Sequence, residues 1–234
     1  MKDILGRAVY DFHKGERNTI LWIENTYGDP EEMPLEHFFR SEDEMPEIEL
    51  FALKHCRGKV LDIGAAAGAH SLLLQEKSLE VHALDVSPLL AKTMKKRGVK
   101  HILEKDIYAL RDGKYQTLLL LMNGIGICET IEGLKKILAH FKTLLSKGGQ
   151  VLFDSSDVAY LYKNTPKPTE KYYGEIEYRY SYKNQKDDWF SWLYVDFETL
   201  KNIAANAGFK PELLAQDEDG HYLCRLTIDV KTQP

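Results

Sequence analysis

The chain has 234 residues, a formal net charge of −5 and a pI near 5.9. Holding nucleic acid requires a basic surface, so that class is set aside. No apolar run reaches the roughly 18–20 residues of a membrane helix. The opening MKDILGRAVYDFHKGER is too broken by charge for a signal peptide. The three cysteines, Cys56, Cys128 and Cys224, lie far apart with no C-x-x-C. They predict free thiols in a reducing, cytoplasmic setting. The eight histidines make no ligand spacing with each other or with cysteine, which predicts no structural metal.

In chain order, residues 1–57 are expected to form a helical cap or lid. Leu5–Phe12 reads as a short helix and Ile20–Thr26 as a strand or extended piece. GDPEEMP reads as loop, and Met45-Pro46 as the start of a further helix with acids in its first turn. From Gly58 a strand–helix alternation sets in. Strand Lys59–Ile63 leads to helix Gly68–Glu76, and strand Glu80–Leu84 to a helix ending at Arg97. Strand His101–Lys105 precedes strand Thr117–Met122, which is nearly all leucine. Helix Ile131–Leu145 is expected to stop at Gly148-Gly149, before strand Gln150–Asp154. Ser87 and Pro88 are a helix-start pair, the serine as N-cap and the proline at the first helical position. The basic cluster Lys92, Lys95, Lys96, Arg97 and Lys100 reads as a solvated helix end.

The alternation breaks at about 157–195. EIEYRYSY and WFSWLYV alternate polar and aromatic residues around Lys183–Asp188, the pattern of an antiparallel hairpin. Its aromatic face would shape an acceptor pocket, or pack on the sheet or on a second subunit, making a homodimer. Helix Phe197–Ala207 and a last strand pair around Asp217–Gly220 complete the chain. The predicted fold is α/β: a Rossmann-like seven-stranded, mostly parallel sheet with helices on both faces. It carries the N-terminal helical cap and the inserted antiparallel hairpin, and the main domain spans 58–234.

The junction VLDIGAAAGAHSLLL, Val60 to Leu74, strips side chains from the end of the first strand of the alternation. Ligands of open α/β sheets bind at such carboxyl ends, where strand order reverses. A dinucleotide would call for G-x-G-x-x-G, but Gly64 and Gly68 enclose only alanines. Asp85 stands 21 residues after Gly64, at the end of the next strand, where a carboxylate meets ribose hydroxyls.

These residues carry a resemblance. LDIGAAAG resembles the first motif of the class I S-adenosylmethionine-dependent methyltransferases, with Ala66 in place of the central glycine. HALDVSP resembles their second motif, LEKDIYAL their third, and LLSKGGQVLFD their fifth-strand block. The resemblance implies S-adenosylmethionine as cofactor. It implies that Asp62 orients the loop or meets the methionine amino group, and that Gly64, Ala65, Ala66 and Gly68 line methionine and ribose. Asp85 would accept from the ribose, with Val86 beside the adenine. Asp106 would take the adenine amino group, with Ile107 against the ring. Asn123 and Gly124 would close the site below the sulfonium. Taken singly, Asp62 also reads as a helix-dipole partner and Asp106 as a turn cap.

Methyl transfer is displacement at a carbon that already bears its leaving group, so alignment supplies most of the catalysis. A base is needed only when the acceptor loses a proton. Glu129, Asp157, His37 and His70 are the candidates, each also readable as surface or structural. Segment 38–49 holds Phe38, Phe39 and Met45, which favour burial, and Arg40, which would then pair with a carboxylate such as that of the methionine moiety. MNGIG replaces the Asp/Asn-Pro-Pro-Tyr signature of amino-methylating nucleic-acid enzymes, which favours a small-molecule acceptor. The competing readings are a methyltransferase acting on protein or RNA, and a non-methylating nucleotide-binding protein or oxidoreductase.

Overall fold

The computed structural model describes residues 2–229. In chain order its elements are α1 (Ile4–His13), β1 (Leu21–Asn25), β2 (Glu31–Met33) and α2 (Glu47–His55). Then come β3 (Val60–Ile63), α3 (Ala69–Glu76), β4 (Val81–Asp85), α4 (Pro88–Arg97), β5 (His101–Glu104) and β6 (Tyr115–Leu120). They are followed by α5 (Ile131–Leu144), β7 (Leu145–Ser156), β8 (Glu175–Tyr182), β9 (Gln185–Lys186) and β10 (Phe190–Leu193). The last are α6 (Phe197–Asn206), β11 (Phe209–Gln216) and β12 (His221–Ile228). The final five residues of the expected 58–234 domain lie outside the described residues.

The large sheet runs β11-β12-β7-β6-β3-β4-β5. Strands β3 to β7 are parallel; β12 lies antiparallel to β7, and β11 antiparallel to β12. This is the expected seven-stranded, mostly parallel sheet. Leu118, Leu119 and Leu120 of β6 are fully buried, because helices cover both faces. Leu118 and Leu120 face α5 and α6, packing with Leu134, Phe141 and Leu200. Leu119 faces α2 and α3, with Leu53 and Leu74. Each such leucine contributes about 1.5–3 kcal/mol by leaving water. The helix starts follow their side chains: Ser87 Oγ accepts the Leu90 N–H, Thr130 Oγ1 that of Gly133, and Asp196 Oδ1 that of Thr199.

A second sheet, β10-β8-β1-β2 with β9 on β8, joins the inserted hairpin to the N-terminal segment. So the described residues of 1–57 supply two α-helices and also two strands, and the hairpin finds its neighbour in its own chain. Part of GDPEEMP, expected as loop, is the edge strand β2, held by β1 through pairs such as Trp22↔Glu32. Tertiary pairing overrides the loop composition there. Nor does Gly148-Gly149 stop α5. That helix ends at Leu144, before Leu145 turns extended, and the glycines lie in a register shift of β7 against β6.

Among the described residues, no helix is long and apolar enough to cross a membrane.

Candidate active site

The carboxyl ends of β3, β4 and β5 form the floor of the site. The chain leaves β3 in left-handed conformations at Gly64 (φ 74°), Ala66 (49°) and Gly68 (80°). The two glycines serve different ends. A β-carbon on Gly64 would meet nothing within 4 Å, so its backbone faces open space. One on Gly68 would lie 2.7 Å from Val99 Cγ2. Gly68 therefore lets α3 pack closely on the α4–β5 turn; its missing side chain does not open onto a ligand.

Asp85 pins this loop. Its Oδ2 accepts the Ala66 N–H at 3.0 Å and its Oδ1 the Ser87 N–H at 2.9 Å. Burial pushes its carboxyl up to about 6, against those two hydrogen bonds. Val86, the next residue, is an apolar side chain 57% exposed at this edge. Asp106 is exposed after β5, with Oδ1 accepting the Tyr108 N–H at 2.6 Å, so it does cap a turn. Ile107, expected against the adenine, instead packs its side chain in the main core with Leu134 and Leu138. Exposed Val86 is the apolar group this edge offers to a ring.

Asp62 is buried under the loop and accepts the Ser71 hydroxyl at 2.6 Å. Burial raises its carboxyl above the usual range. Next to it runs a seam of charge. Arg40 Nη2 donates to both oxygens of Glu49, at 2.8 and 2.9 Å, and Glu49 Oε2 lies 2.7 Å from His70 Nε2. Burial opposes the charge on His70, yet the hydrogen bond to Glu49 and the nearby Asp62 hold it above its ordinary value. The carboxylate that Arg40 meets is thus Glu49, not one left open for a ligand. His70 likewise belongs to this buried seam. Arg97, read from sequence as part of a solvated helix end, turns inward. It donates to the carbonyls of Phe38 (3.2 Å) and Ala67 (2.7 Å) and lies over the Phe39 ring. Segment 35–40 is thereby tied to the glycine loop.

The ends of β6 and β7 form the other half. Met122 (φ 62°) and Asn123 (φ 55°) are left-handed without being glycine, a strain of about 1–3 kcal/mol each that persists only where the surroundings over-determine it. Three hydrogen bonds do so: Asn123 N–H to Asp154 Oδ1 (2.9 Å), Ser156 Oγ to Asn123 Oδ1 (3.0 Å), and Trp192 Nε1 to the Asn123 carbonyl (3.1 Å). Gly124 is buried beside Asn123, with the Leu120 side chain against it. Among the catalytic candidates, Asp157 is occupied, since Oδ1 accepts from Ala159 N–H and the Tyr173 hydroxyl. Glu129 is exposed at a left-handed position, and His37 is exposed on a one-turn helix.

Above this edge the second sheet presents an aromatic wall. Tyr178, Tyr180 and Phe190 pack at ring separations of 5.3–6.3 Å, and Trp192 continues the row at 6.4 Å from Phe190. The Tyr27, Tyr178 and Tyr194 hydroxyls are linked in a chain at 3.2 and 3.3 Å. Burial raises all three phenols, so they stay neutral donors. Tyr180, Met33 and Phe39 pack against the same apolar cluster as Ala66 and Met122, so the roof and the glycine loop border one core.

One pair was missed in the sequence. His221, the first residue of β12, places Nε2 2.7 Å from Asp154 Oδ2, and the Asp154 side chain is only 1% exposed. Nothing local marks it, because its partner lies 67 residues away.

An open floor of glycine-loop backbone, a buried carboxylate after the next strand and the strand order above define a Rossmann-like methyltransferase fold. The chain is 39% identical to an S-adenosylmethionine-dependent methyltransferase from Bacteroides fragilis, crystallised with S-adenosyl-L-homocysteine. The match covers 98% of this chain and 96% of that one, with a TM-score of 0.91. The protein therefore belongs to the S-adenosylmethionine-dependent methyltransferases. More distant structures share the fold. The CcbJ methyltransferase of Streptomyces caelestis is 13% identical over 80% of this chain and 94% of its own, TM-score 0.63. The glycopeptide N-methyltransferase MtfA is 14% identical over 78% and 92%, TM-score 0.54. No protein-family model matches the chain, and no curated protein is similar to it in sequence.

Proposed function

We propose that the protein transfers the methyl group of S-adenosylmethionine to a small-molecule acceptor bound between the floor and the aromatic roof. The observation that carries this is the open space in front of Gly64, where an added β-carbon would meet nothing within 4 Å, at the same strand ends that leave Val86 and Asp106 exposed. That opening fits the cofactor: backbone lies bare where a ligand must approach, an exposed apolar side chain suits a purine face, and carboxylates stand at the ends of β3, β4 and β5. The relative from Bacteroides fragilis, bound to S-adenosyl-L-homocysteine, supports the same reading.

In this reading Asp85 and the loop it pins accept the ribose hydroxyls, and Val86 and Asp106 border the adenine. Gly64 and Ala65 border the methionine chain, Asp62 orients the loop from below, and Asn123 and Gly124 lie under the reacting centre. When bound, S-adenosylmethionine supplies an activated methyl. The protein's task is to hold the acceptor lone pair in line with the carbon–sulfur bond, an alignment that supplies roughly 7–11 kcal/mol. The roof serves this by excluding water and by offering neutral rings and phenol hydroxyls. The net charge of −5 favours a metabolite over a nucleic acid.

The test uses S-adenosylmethionine labelled on the methyl group, incubated with the protein and with either the small-molecule or the macromolecular fraction of a cell extract. Label entering the small-molecule fraction is the expected result. Label entering only protein or RNA would replace the acceptor class.

A further inference from the structure

We propose that His221 is the proton acceptor for the methylated nucleophile, held in position by Asp154. The inference rests on the function proposed above and adds to it a residue and an acceptor property: the acceptor atom carries a proton that it must lose.

The argument begins with position. Strand β12 runs antiparallel to β7, so its first residue lies against the carboxyl end of β7, with His221 paired to Ser156. That edge adjoins Asn123, the residue after β6 that stands under the expected reacting centre. One buried carboxylate joins the two: Asp154 accepts the Asn123 N–H through Oδ1 and holds the imidazole through Oδ2, at 2.9 and 2.7 Å. The backbone strained into the left-handed region at Asn123 and the ring of His221 thus share one rigid anchor.

Chemistry then assigns the nitrogens. With Nε2–H donating to Asp154, the lone pair of the neutral ring is on Nδ1. The His221 side chain is 26% exposed, while Asp154 is sealed. The imidazole is therefore held at Nε2 by a sealed carboxylate while the side chain stays partly exposed, the combination a proton acceptor needs. The candidates read from the sequence do not share it. Asp157 is held by Tyr173 and Ala159, and His70 is sealed against Glu49.

Carboxylates act on the ring from three elements: Asp154 from β7, Asp217 from the preceding turn with Oδ2 3.8 Å from Nδ1, and Glu49 from α2, itself paired with His70 and Arg40. The hydrogen bond to Asp154 holds the imidazole above its ordinary value, against the burial that would lower it. The ring is thus protonated at acid pH and becomes competent as pH rises, later than an ordinary histidine would.

The step balances simply. The acceptor lone pair forms a bond to the methyl carbon as the carbon–sulfur bond breaks, and that electron pair stays on sulfur to give the thioether. The proton of the acceptor O–H or N–H passes to Nδ1, and from the exposed edge to solvent.

The experiment compares wild type, His221→Asn and His221→Gln in label transfer to the small-molecule extract between pH 5.5 and 9, with calorimetric S-adenosylhomocysteine binding measured in parallel. Removal of a general base costs typically 10²–10⁴-fold, so the variants should lose about a hundredfold or more in rate. They should also lose the acid limb of the pH profile, while binding S-adenosylhomocysteine as wild type does. Asp154→Asn keeps the ring and removes the charge, and should move the acid limb to lower pH. Variants that retain the rate, or lose it equally at every pH with the acid limb intact, overturn the assignment. Should wild type bind S-adenosylhomocysteine yet transfer no label to small molecules, the acceptor reading fails first and the base falls with it.

Discussion

The floor and the roof of the site are built on opposite principles. The floor is backbone: Gly64 offers bare peptide, and Asp85 spends both carboxylate oxygens on holding peptide N–H groups. The roof is side chain: a row of rings and a chain of phenols on an antiparallel sheet. A backbone surface suits a ligand that never changes, whereas ring positions can be exchanged without altering the strands that carry them. Under the proposed function, cofactor recognition falls to the floor and acceptor choice to the roof.

The largest effect is expected where the two halves are sewn together. Glu49→Ala leaves Arg40 and His70 without their partner, and breaking a buried ion pair from one side costs about 3–5 kcal/mol. Chemical denaturation reads this directly. A loss under 1 kcal/mol would mean that the seam does not tie Arg40 and α2 to α3.

Gly64→Val comes next. Its branch would enter the open space, so S-adenosylhomocysteine affinity should fall by about a hundredfold, or about 2.7 kcal/mol. The left-handed backbone adds a fold penalty of about 1–2 kcal/mol. Calorimetry on the folded variant decides, and unaltered affinity would move the cofactor off the floor.

Asp85→Ala and Trp192→Ala form a matched pair. The first should lower S-adenosylhomocysteine affinity by at least about tenfold, since charge-assisted hydrogen bonds contribute about 1.5–3 kcal/mol each. The second should leave that affinity within about twofold and cut label transfer by about tenfold, half or more of one such bond's worth. If both variants damaged binding and transfer alike, floor and roof would not be separable.

The smallest effect is a pH dependence. Burial raises Asp85 to about 6, above its unfolded value. The free protein therefore favours the protonated form, and this group costs stability as pH rises from about 4 to 6. A ribose contact needs the carboxylate, so S-adenosylhomocysteine affinity should run the other way, full above pH 6 and declining below it by no more than the Asp85→Ala loss. A flat affinity profile with Asp85 intact would remove its ribose contact.

The same division explains what could be read in the sequence. The floor is made of short-range rules. Ser87 caps the helix that Pro88 begins, and the glycine loop and Asp85 sit on consecutive strands, so their order and spacing survive as motifs. The roof and the seam are made of long-range pairs. Tyr178 meets Tyr27 across 151 positions, and His221 meets Asp154 across 67. Strand β2 exists because β1 lies beside it. Ile107 was misplaced for a related reason: the motif locates the chain at the edge of the sheet, but which way the side chain turns depends on α5, which comes later. Gly148-Gly149 was misread because a glycine pair marks a break in regular pairing as readily as a helix end.

The pairing of β1 with β8 also orders events in time. Glu24 forms its ion pair with Arg179, 155 positions further along the chain. At roughly 5–20 residues per second on the ribosome, the N-terminal strand waits on the order of ten to thirty seconds for its partner. Meanwhile the parallel strands emerge and can assemble. The nascent protein thus reaches a stage with a formed floor and an unpaired, Trp-bearing strand edge at its front, the kind of edge other chains add to. Interruption of synthesis before residue 175 leaves that edge permanently open, so truncated chains should be the aggregating species, and a chaperone holding the first 33 residues would protect the yield of whole enzyme.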